Sequence, residues 1–458
     1  MMDSIYKSLA EIVGEGYVSN QPEELFIYSF DLGTTEPHRP DYAVVPRTTE
    51  EVQEIVKLAN KEKIPIAPLG GGLSLAGLAV PLRGGIALDL KRMDSIIEIN
   101  ERARYVVVEC GVSQGQLSSY LEKHHPNLRH SEPGAPPQAT IAGNIAIHGQ
   151  GDLAQPYGFT SDMVNGLEVV LPTGEVCKFG SCSISPNWFT LHPLPDLGLF
   201  LGWSGTTGII TKLSLKLYPS KKIKGVEQFV VEDEELVPEI VYKITHTEMA
   251  DDVVAFSQAI PPMTSGLHHI NILMTADSEK ELEFKTGLFW DDILREYIRN
   301  GDGGFLNLSS AMKAGLTRRP QVSKASDWKK GGGFEYVGAI MPVETYPECY
   351  RRGVEISLRH DIPYTVLGRI IGRSHAMMFS WTYAFNRADP ESIRQAREAL
   401  HESDDLALEL GGTIWKPGIY GQKLVMERMD PNTLKLMKKV KELLDPNGIM
   451  NPGNWEVS

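Results

Sequence analysis

Ile64-Pro-Ile-Ala-Pro-Leu-Gly-Gly-Gly-Leu-Ser-Leu-Ala-Gly77 is the stretch on which the reading of this chain turns. A short β-prone run (Ile64, Ile66, Leu69) empties into Gly70, Gly71 and Gly72, followed by Leu73 and Ser74. Glycines tolerate positive φ and let backbone N–H groups approach an anion with no Cβ in the way. A strand running into such a loop reads as a diphosphate cradle; a tight turn without a ligand is the competing reading. It is not a P-loop, because no Gly-Lys-Ser/Thr follows. Counted from Gly70, the third glycine of a dinucleotide fingerprint falls on Leu75.

Further along, Pro133-Gly-Ala-Pro-Pro-Gln-Ala-Thr-Ile-Ala-Gly-Asn-Ile-Ala-Ile-His-Gly149 forms a second small-residue segment. Gly134, Ala135, Gly143 and Ala146 leave room for a flat, bulky ligand, and Thr140 and Asn144 offer hydrogen bonds. A third element, Gly205-Thr-Thr-Gly-Ile-Ile-Thr211, joins small residues to a β-branched run. The fourth, Leu444-Asp-Pro-Asn-Gly-Ile-Met-Asn-Pro-Gly-Asn454, is a Pro/Asn/Gly turn cluster closing a helix.

In this order the four segments resemble the flavoproteins of the vanillyl-alcohol oxidase / p-cresol methylhydroxylase family, which includes FAD-linked glycolate and D-lactate dehydrogenases. The resemblance covers residues 25–220 and, more loosely, the last hundred or so. It implies an α+β, two-domain flavoprotein with a p-cresol-methylhydroxylase-type FAD-binding domain and an inserted α+β cap. The FAD-binding domain would take residues 1–222, the cap 223–412, and 413–458 would return to the first domain. FAD would lie on Leu69, Gly70, Gly71, Gly72, Leu73 and Ser74 of the loop, and on Pro133, Gly134, Ala135, Thr140, Gly143, Asn144 and Ala146 of the second segment. Gly158, Gly208, Ile209, Ile210 and Asn451 complete the expected cofactor set.

Composition narrows the partners. The chain of 458 residues carries 45 basic against 59 acidic residues, a net charge of −14. That argues against nucleic acid or an anionic membrane surface. No apolar run approaches about 18 residues, so no membrane span is expected. The N-terminal Ser4–Glu15 stretch reads as an acid-bearing amphipathic helix rather than a signal peptide. Cys110, Cys177, Cys182 and Cys349 form no CxxC pair. They read as reduced thiols of a cytoplasmic protein with no iron–sulfur cluster.

The periodicities give an alternating texture. Thr48-Thr-Glu-Glu51 is a capping box, and Val52, Ile55, Val56 and Ala59 form the stripe of the helix it starts. Strands are expected at 85–90, 96–99, 105–110, 164–171, 175–179 and 209–218, and a helix over 113–123. Beyond Pro219 come long charged helices at 279–284, 291–299, 344–359 and 389–410, with a glycine-rich hairpin at 329–337. A helix over 431–444 leads to the closing turn.

The substrate side departs from both branches of the family. Hydroxy-acid dehydrogenases carry Gly-His-x-Gly-Asp-Gly-Asn-Leu-His in the cap; here Gly372-Arg-Ser-His-Ala-Met-Met-Phe-Ser380 puts Arg373 and Ser380 where the first and last histidines stand. No metal is therefore expected. The alkylphenol branch binds a phenolate with a Tyr-Arg pair, matched here by Trp415-Lys416. The glycine loop has no histidine, and Ser326 stands where a flavin-linking tyrosine would be, so the FAD is expected to be non-covalent. His148 is the remaining candidate tether. Arg369 and Arg373, four apart on one strand, would share a face. Together with His375, Lys416 and Tyr420 they are the expected substrate residues, orienting it and handling its proton. Met377, Met378, Phe379 and Trp381 read as core, and His268-His269 and Arg318-Arg319 as structural or solvated.

The resemblance implies an FAD dehydrogenase taking a hydride from the CH–OH carbon of a small alcohol or 2-hydroxy acid. Electrons would pass to an external acceptor: an electron-transfer flavoprotein, an iron–sulfur subunit, a cytochrome or dioxygen. A 4-alkylphenol or benzylic alcohol dehydrogenase is the alternative. A flavin subunit acting mainly as an electron-transfer docking partner is a second alternative. A homo-oligomer is compatible with all three.

Overall fold

The computed structural model of the chain describes residues 4–192, 194–259, 266–317 and 331–456. Ser326 and Arg318-Arg319 lie outside them, as do residues 329 and 330 of the expected hairpin.

The glycine loop grows out of a four-stranded sheet ordered Val18–Ser19, Tyr42–Val44, Ile86–Asp89, Ile66–Leu69. The last three strands are parallel. Their crossover is the helix Thr49–Glu62, whose cap is the one the sequence announces: the Thr48 side chain accepts from Glu51 N–H. Its Val52, Ile55, Val56 and Ala59 stripe is buried. A five-stranded antiparallel sheet follows, ordered Ile96–Asn100, Tyr105–Glu109, Ile209–Lys216, Val164–Val170, Val176–Gly180. Both sheets share one apolar core, which also takes in Ile449 and Met450 from the C-terminal turn.

Residues 223 onward build a second core on an eight-stranded sheet. Its order is Gly303–Phe305, Ile223–Val231, His268–Ala276, Asp252–Ala259, Tyr364–Ile371, Ala376–Phe385, Gly333–Met341, Thr413–Trp415. Strand alternation divides its two faces. Phe229, Ile270, Val253, Val366, Met377, Phe379, Trp381, Tyr383, Val337 and Ala339 face one way, into the core shared with buried residues of the helices Leu236–His246, Tyr346–Arg359 and Pro390–Glu409. The other face carries Leu367, Arg369, Met378, Ser380, Tyr336 and Trp415. Ala154 of the flavin-side segment packs there, in a small cluster with Ile371, Met378 and Trp415. Met378 thus belongs to the junction of the two cores, while its neighbours in sequence are buried in one of them.

Candidate active site

Of the three loop glycines only Gly72 has positive φ (66°). Gly70 and Gly71 are needed for space. A Cβ on Gly70 would lie 2.1 Å from Thr140 Oγ1, and one on Gly71 would lie 2.3 Å from the Gln138 carbonyl oxygen. The loop is therefore pressed against the second small-residue segment, and the two form one wall. Thr140 caps the helix Ile141–Ala146 by accepting from Gly143 N–H at 3.2 Å. Gly134 faces open space, with nothing within 4 Å of an added Cβ.

Asn451 acts as a pin. Its N–H donates to Ile66 O (2.7 Å), and its Nδ2 donates to Leu78 O (2.9 Å) and Ser204 O (2.7 Å). This one residue of the fourth segment thus ties together the strand of the first, the residue just after it, and the residue just before the third. Gly158 is accounted for locally: its φ is 84°, and a Cβ would strike Asp162 Oδ2 at 2.4 Å. Gly208 packs on Val169, 2.8 Å from an added Cβ. Ile209 and Ile210 are buried in strand Ile209–Lys216, Leu69 and Pro133 are also buried, and Leu73, Ser74, Ala135 and Ala146 are half-buried.

These segments suit a large polar ligand. Gly71 and Gly72 are exposed although the loop is built on a buried strand. Several buried polar side-chain atoms in these and adjoining segments have no hydrogen-bond partner among the described residues: both heteroatoms of Gln114, Asn144 Oδ1, Gln150 Oε1, Gln155 Nε2, Thr160 Oγ1 and Asn451 Oδ1. Buried polar atoms are ordinarily satisfied, so such a set fits a ligand rich in donors and acceptors.

The expected substrate residues separate into three places. Arg369 is inward and paired with buried Asp252 at 2.9 Å. Burial pushes Asp252 up to about 6, against the pull of Arg369. Arg373 does not share that face. The strand ends at Ile371, and Gly372, Arg373 and Ser374 turn with φ of 58°, 57° and 72°. Arg373 is exposed and pairs with Glu248 at 2.8 Å, and His375 is exposed on the same turn.

Lys416 and Tyr420 come together. They line a cavity of about 200 Å³ with Ala76 of the glycine-loop segment, Tyr336, Trp415, Glu335 and Asp404. The chain 416–419 runs directly against the loop: a Cβ on Gly418 would meet Ala76 Cβ at 2.8 Å. Lys416 Nζ lies 4.0 Å from the Trp415 ring centroid and has no ion-pair partner among the described residues. Burial lowers its amine to about 7. The Tyr420 hydroxyl donates to Asp405 at 2.8 Å and its ring stacks on His401 at 3.9 Å.

Two carboxyls of this cavity escaped the sequence reading. Glu335 accepts from Thr34 N–H (2.6 Å) and the Thr34 hydroxyl (2.8 Å). Burial pushes it up to about 7 and Asp404 well above the ordinary carboxyl range. Glu335 sits on a strand in a Gly-Phe-Glu-Tyr run, and only its inward alternation could have flagged it. Among the described residues no three His, Cys, Asp or Glu side chains gather as a metal site. No helix there is long and apolar enough to cross a membrane.

Two family models match the chain: an FAD binding domain over residues 40–180 and the C-terminal domain of FAD linked oxidases over residues 325–455. The chain is an FAD-linked oxidoreductase. It is 28% identical to a D-lactate dehydrogenase of Anaerostipes hadrus, over 91% of this chain and 89% of that one. It is 25% identical to the flavoprotein subunit of 4-cresol dehydrogenase (hydroxylating) of Pseudomonas putida, over 96% and 93%. The structure of p-cresol methylhydroxylase with substrate bound superposes with a TM-score of 0.85 at 23% identity, covering 98% of this chain and 96% of that one. This agrees with the α+β, two-domain fold expected from the sequence. FAD supplies the redox chemistry in such an enzyme, and the protein binds and orients it.

Proposed function

We propose that this oxidoreductase binds FAD without a covalent link and takes a hydride from a hydroxyl-bearing carbon of a small alcohol or 2-hydroxy acid. Electrons then pass to an external acceptor. The observation that carries the reading is Lys416, a half-buried amine lining the cavity beside the glycine loop, lowered by burial to about 7 and without an ion-pair partner among the described residues. As a cation it holds an anionic oxygen as a point charge. As a free amine it takes a proton from a hydroxyl. Behind the cavity, Trp415 packs in an apolar cluster with Ile371, Met378 and Ala154.

The alternative substrate, a 4-alkylphenol or benzylic alcohol, is favoured by one feature. Trp415, Tyr336 and Tyr420 give the cavity aromatic walls, and its volume of about 200 Å³ suits a single ring.

Anaerobic titration of the purified flavoprotein with glycolate, D-lactate, benzyl alcohol and 4-methylphenol tests both. Bleaching of the flavin by either acid supports the first substrate class, and bleaching by either aromatic supports the second. An unbleached flavin with all four, and with their homologues, refutes the dehydrogenase reading and leaves a docking subunit. Flavin that stays with the acid-precipitated polypeptide refutes the non-covalent link.

A further inference from the structure

His148 and Lys416 share an uncommon backbone conformation, with φ of 55° and 54°. They meet where the second small-residue segment touches the cap: Trp415 Nε1–H donates to the His148 carbonyl at 2.6 Å. A left-handed conformation is costly for a non-glycine residue. It persists where the surroundings over-determine it, commonly at functional sites.

The His148 ring is held on two sides. Its face stacks on Phe159 with centroids 4.3 Å apart, and Nδ1 shares a hydrogen bond of 3.1 Å with Ser161 Oγ. With Nδ1–H donating to that hydroxyl, Nε2 carries the lone pair, and Nε2 has no hydrogen bond among the described residues. Within Ile141–Gln150, Gly143, Ala146, Ile147 and His148 are the partly exposed positions. Burial and the neighbouring Lys416 charge hold the imidazole below its ordinary value, against the pull of Asp162. These surroundings favour the neutral imidazole.

Other histidines are placed less well. His375 is exposed on its turn, and His268 is buried against Tyr346. His269 stacks on Phe256, five strand positions from Trp415 across the sheet. His401, flat against Tyr420, is the rival that lines the cavity itself; His148 reaches it from the flavin side, across Trp415.

We infer that His148 is a catalytic residue of this site, the acceptor of the substrate's hydroxyl proton, while Lys416 holds the oxygen that proton leaves. The inference rests on the dehydrogenase reading above. In the step the O–H bond breaks and its proton goes to His148 Nε2. The C–H bond breaks with its electron pair leaving as hydride to the FAD, and a C=O bond forms. His148 then returns its proton to water.

Two measurements test this. In the FAD-free protein, the His148 imidazole is titrated by NMR, assigned by its loss in His148→Gln. It should titrate below about 6.5 and shift upward in Lys416→Met. No response to Lys416→Met overturns the pairing. In the holoenzyme, His148→Gln should keep its FAD, and the rate of anaerobic flavin reduction should fall about 10²–10⁴-fold with loss of its acid limb. A wild-type rate in His148→Gln, or transfer of the whole loss to His401→Gln, overturns the assignment. A wild-type flavin that no substrate bleaches sinks the dehydrogenase reading instead, and the NMR titration still decides whether His148 and Lys416 are coupled.

Discussion

Replacing Gly71 with alanine tests the cradle at its tightest point. The new Cβ would stand 2.3 Å from the Gln138 carbonyl oxygen and 3.0 Å from the Ala139 Cα. Non-bonded heavy atoms rest at about 3.5 Å, so the loop and residues 138–139 must part by about 1 Å. Both partners are backbone, and no side-chain rotamer can absorb the shift. Forced separations of this kind cost about 1–3 kcal/mol. If the cost falls on the ligand-binding geometry, FAD affinity drops by roughly 5- to 150-fold at about 1.4 kcal/mol per decade. Fluorescence titration of the FAD-free variant measures it, with thermal unfolding of the same sample reporting what the fold itself loses. Gly134→Ala is the partner experiment, because no protein atom lies within 4 Å of its added Cβ. It should leave unfolding unchanged, so any loss of FAD affinity there reports the ligand alone. Gly71→Ala with wild-type FAD affinity and wild-type unfolding would refute the close-approach argument.

Three further outcomes are expected. Lys416→Met should keep FAD and lower kcat/KM for the best substrate by about 10- to 150-fold, the worth of a charge-assisted hydrogen bond; equal efficiency would remove Lys416 from the site. Arg373→Met should change that efficiency less than about fivefold, because its pair with Glu248 is more than half exposed on both sides; a larger fall measured with the same substrate would bring the hairpin turn into the mechanism. Glu335 is raised by burial from 4.5 to about 7, so the folded state binds its proton more tightly than the unfolded state. Its contribution is full below about 4.5 and is lost as the pH rises through about 7. Melting temperature should fall across that window in the wild type and flatten in Glu335→Gln; parallel curves would count against it.

The flavin side was the legible part of the sequence. Local signals there agree with the fold: the Thr48 cap, the Ser113 cap of helix Gln114–His124, and the strand pair Val164–Val170 and Val176–Gly180. Turns defeated the reading of the cap. Arg369 and Arg373 share a face only if the strand continues between them, and three successive left-handed residues end it at Ile371. The cap strands Ile223–Val231, Asp252–Ala259 and His268–Ala276 also went unrecognised. Their polar, unpaired-looking face (Gln228, Asn271, His269) breaks the run of apolar residues because it looks across the sheet away from the core. The helix at 291–299 is interrupted: Leu288–Ile293 is wound wide before Arg295–Asn300 begins. Lys416 was singled out from its pairing with Trp415, but its neighbours Glu335 and Asp404 are brought in from 81 and 12 residues away. No local pattern records such a meeting.

The pinning of the glycine loop has a consequence for how the holoenzyme is made. Strand Ile66–Leu69 is completed by residues 449–451, through Ile66 N–H to Ile449 O and Asn451 N–H to Ile66 O, both 2.7 Å. Asp445, fully enclosed, holds that turn by accepting from Ile449 N–H (3.0 Å) and Met450 N–H (2.9 Å). Translation proceeds from the N-terminus at about 5–20 residues per second, so the loop waits some 370 residues, roughly 20–75 seconds, for its last support. A nascent chain lacking residue 451 has the loop glycines, its parallel pairing with Ile86–Asp89 and the wall at 138–140, but not this pin. Support of the glycine loop is thus completed only when residues 445–451 have been made, late in synthesis.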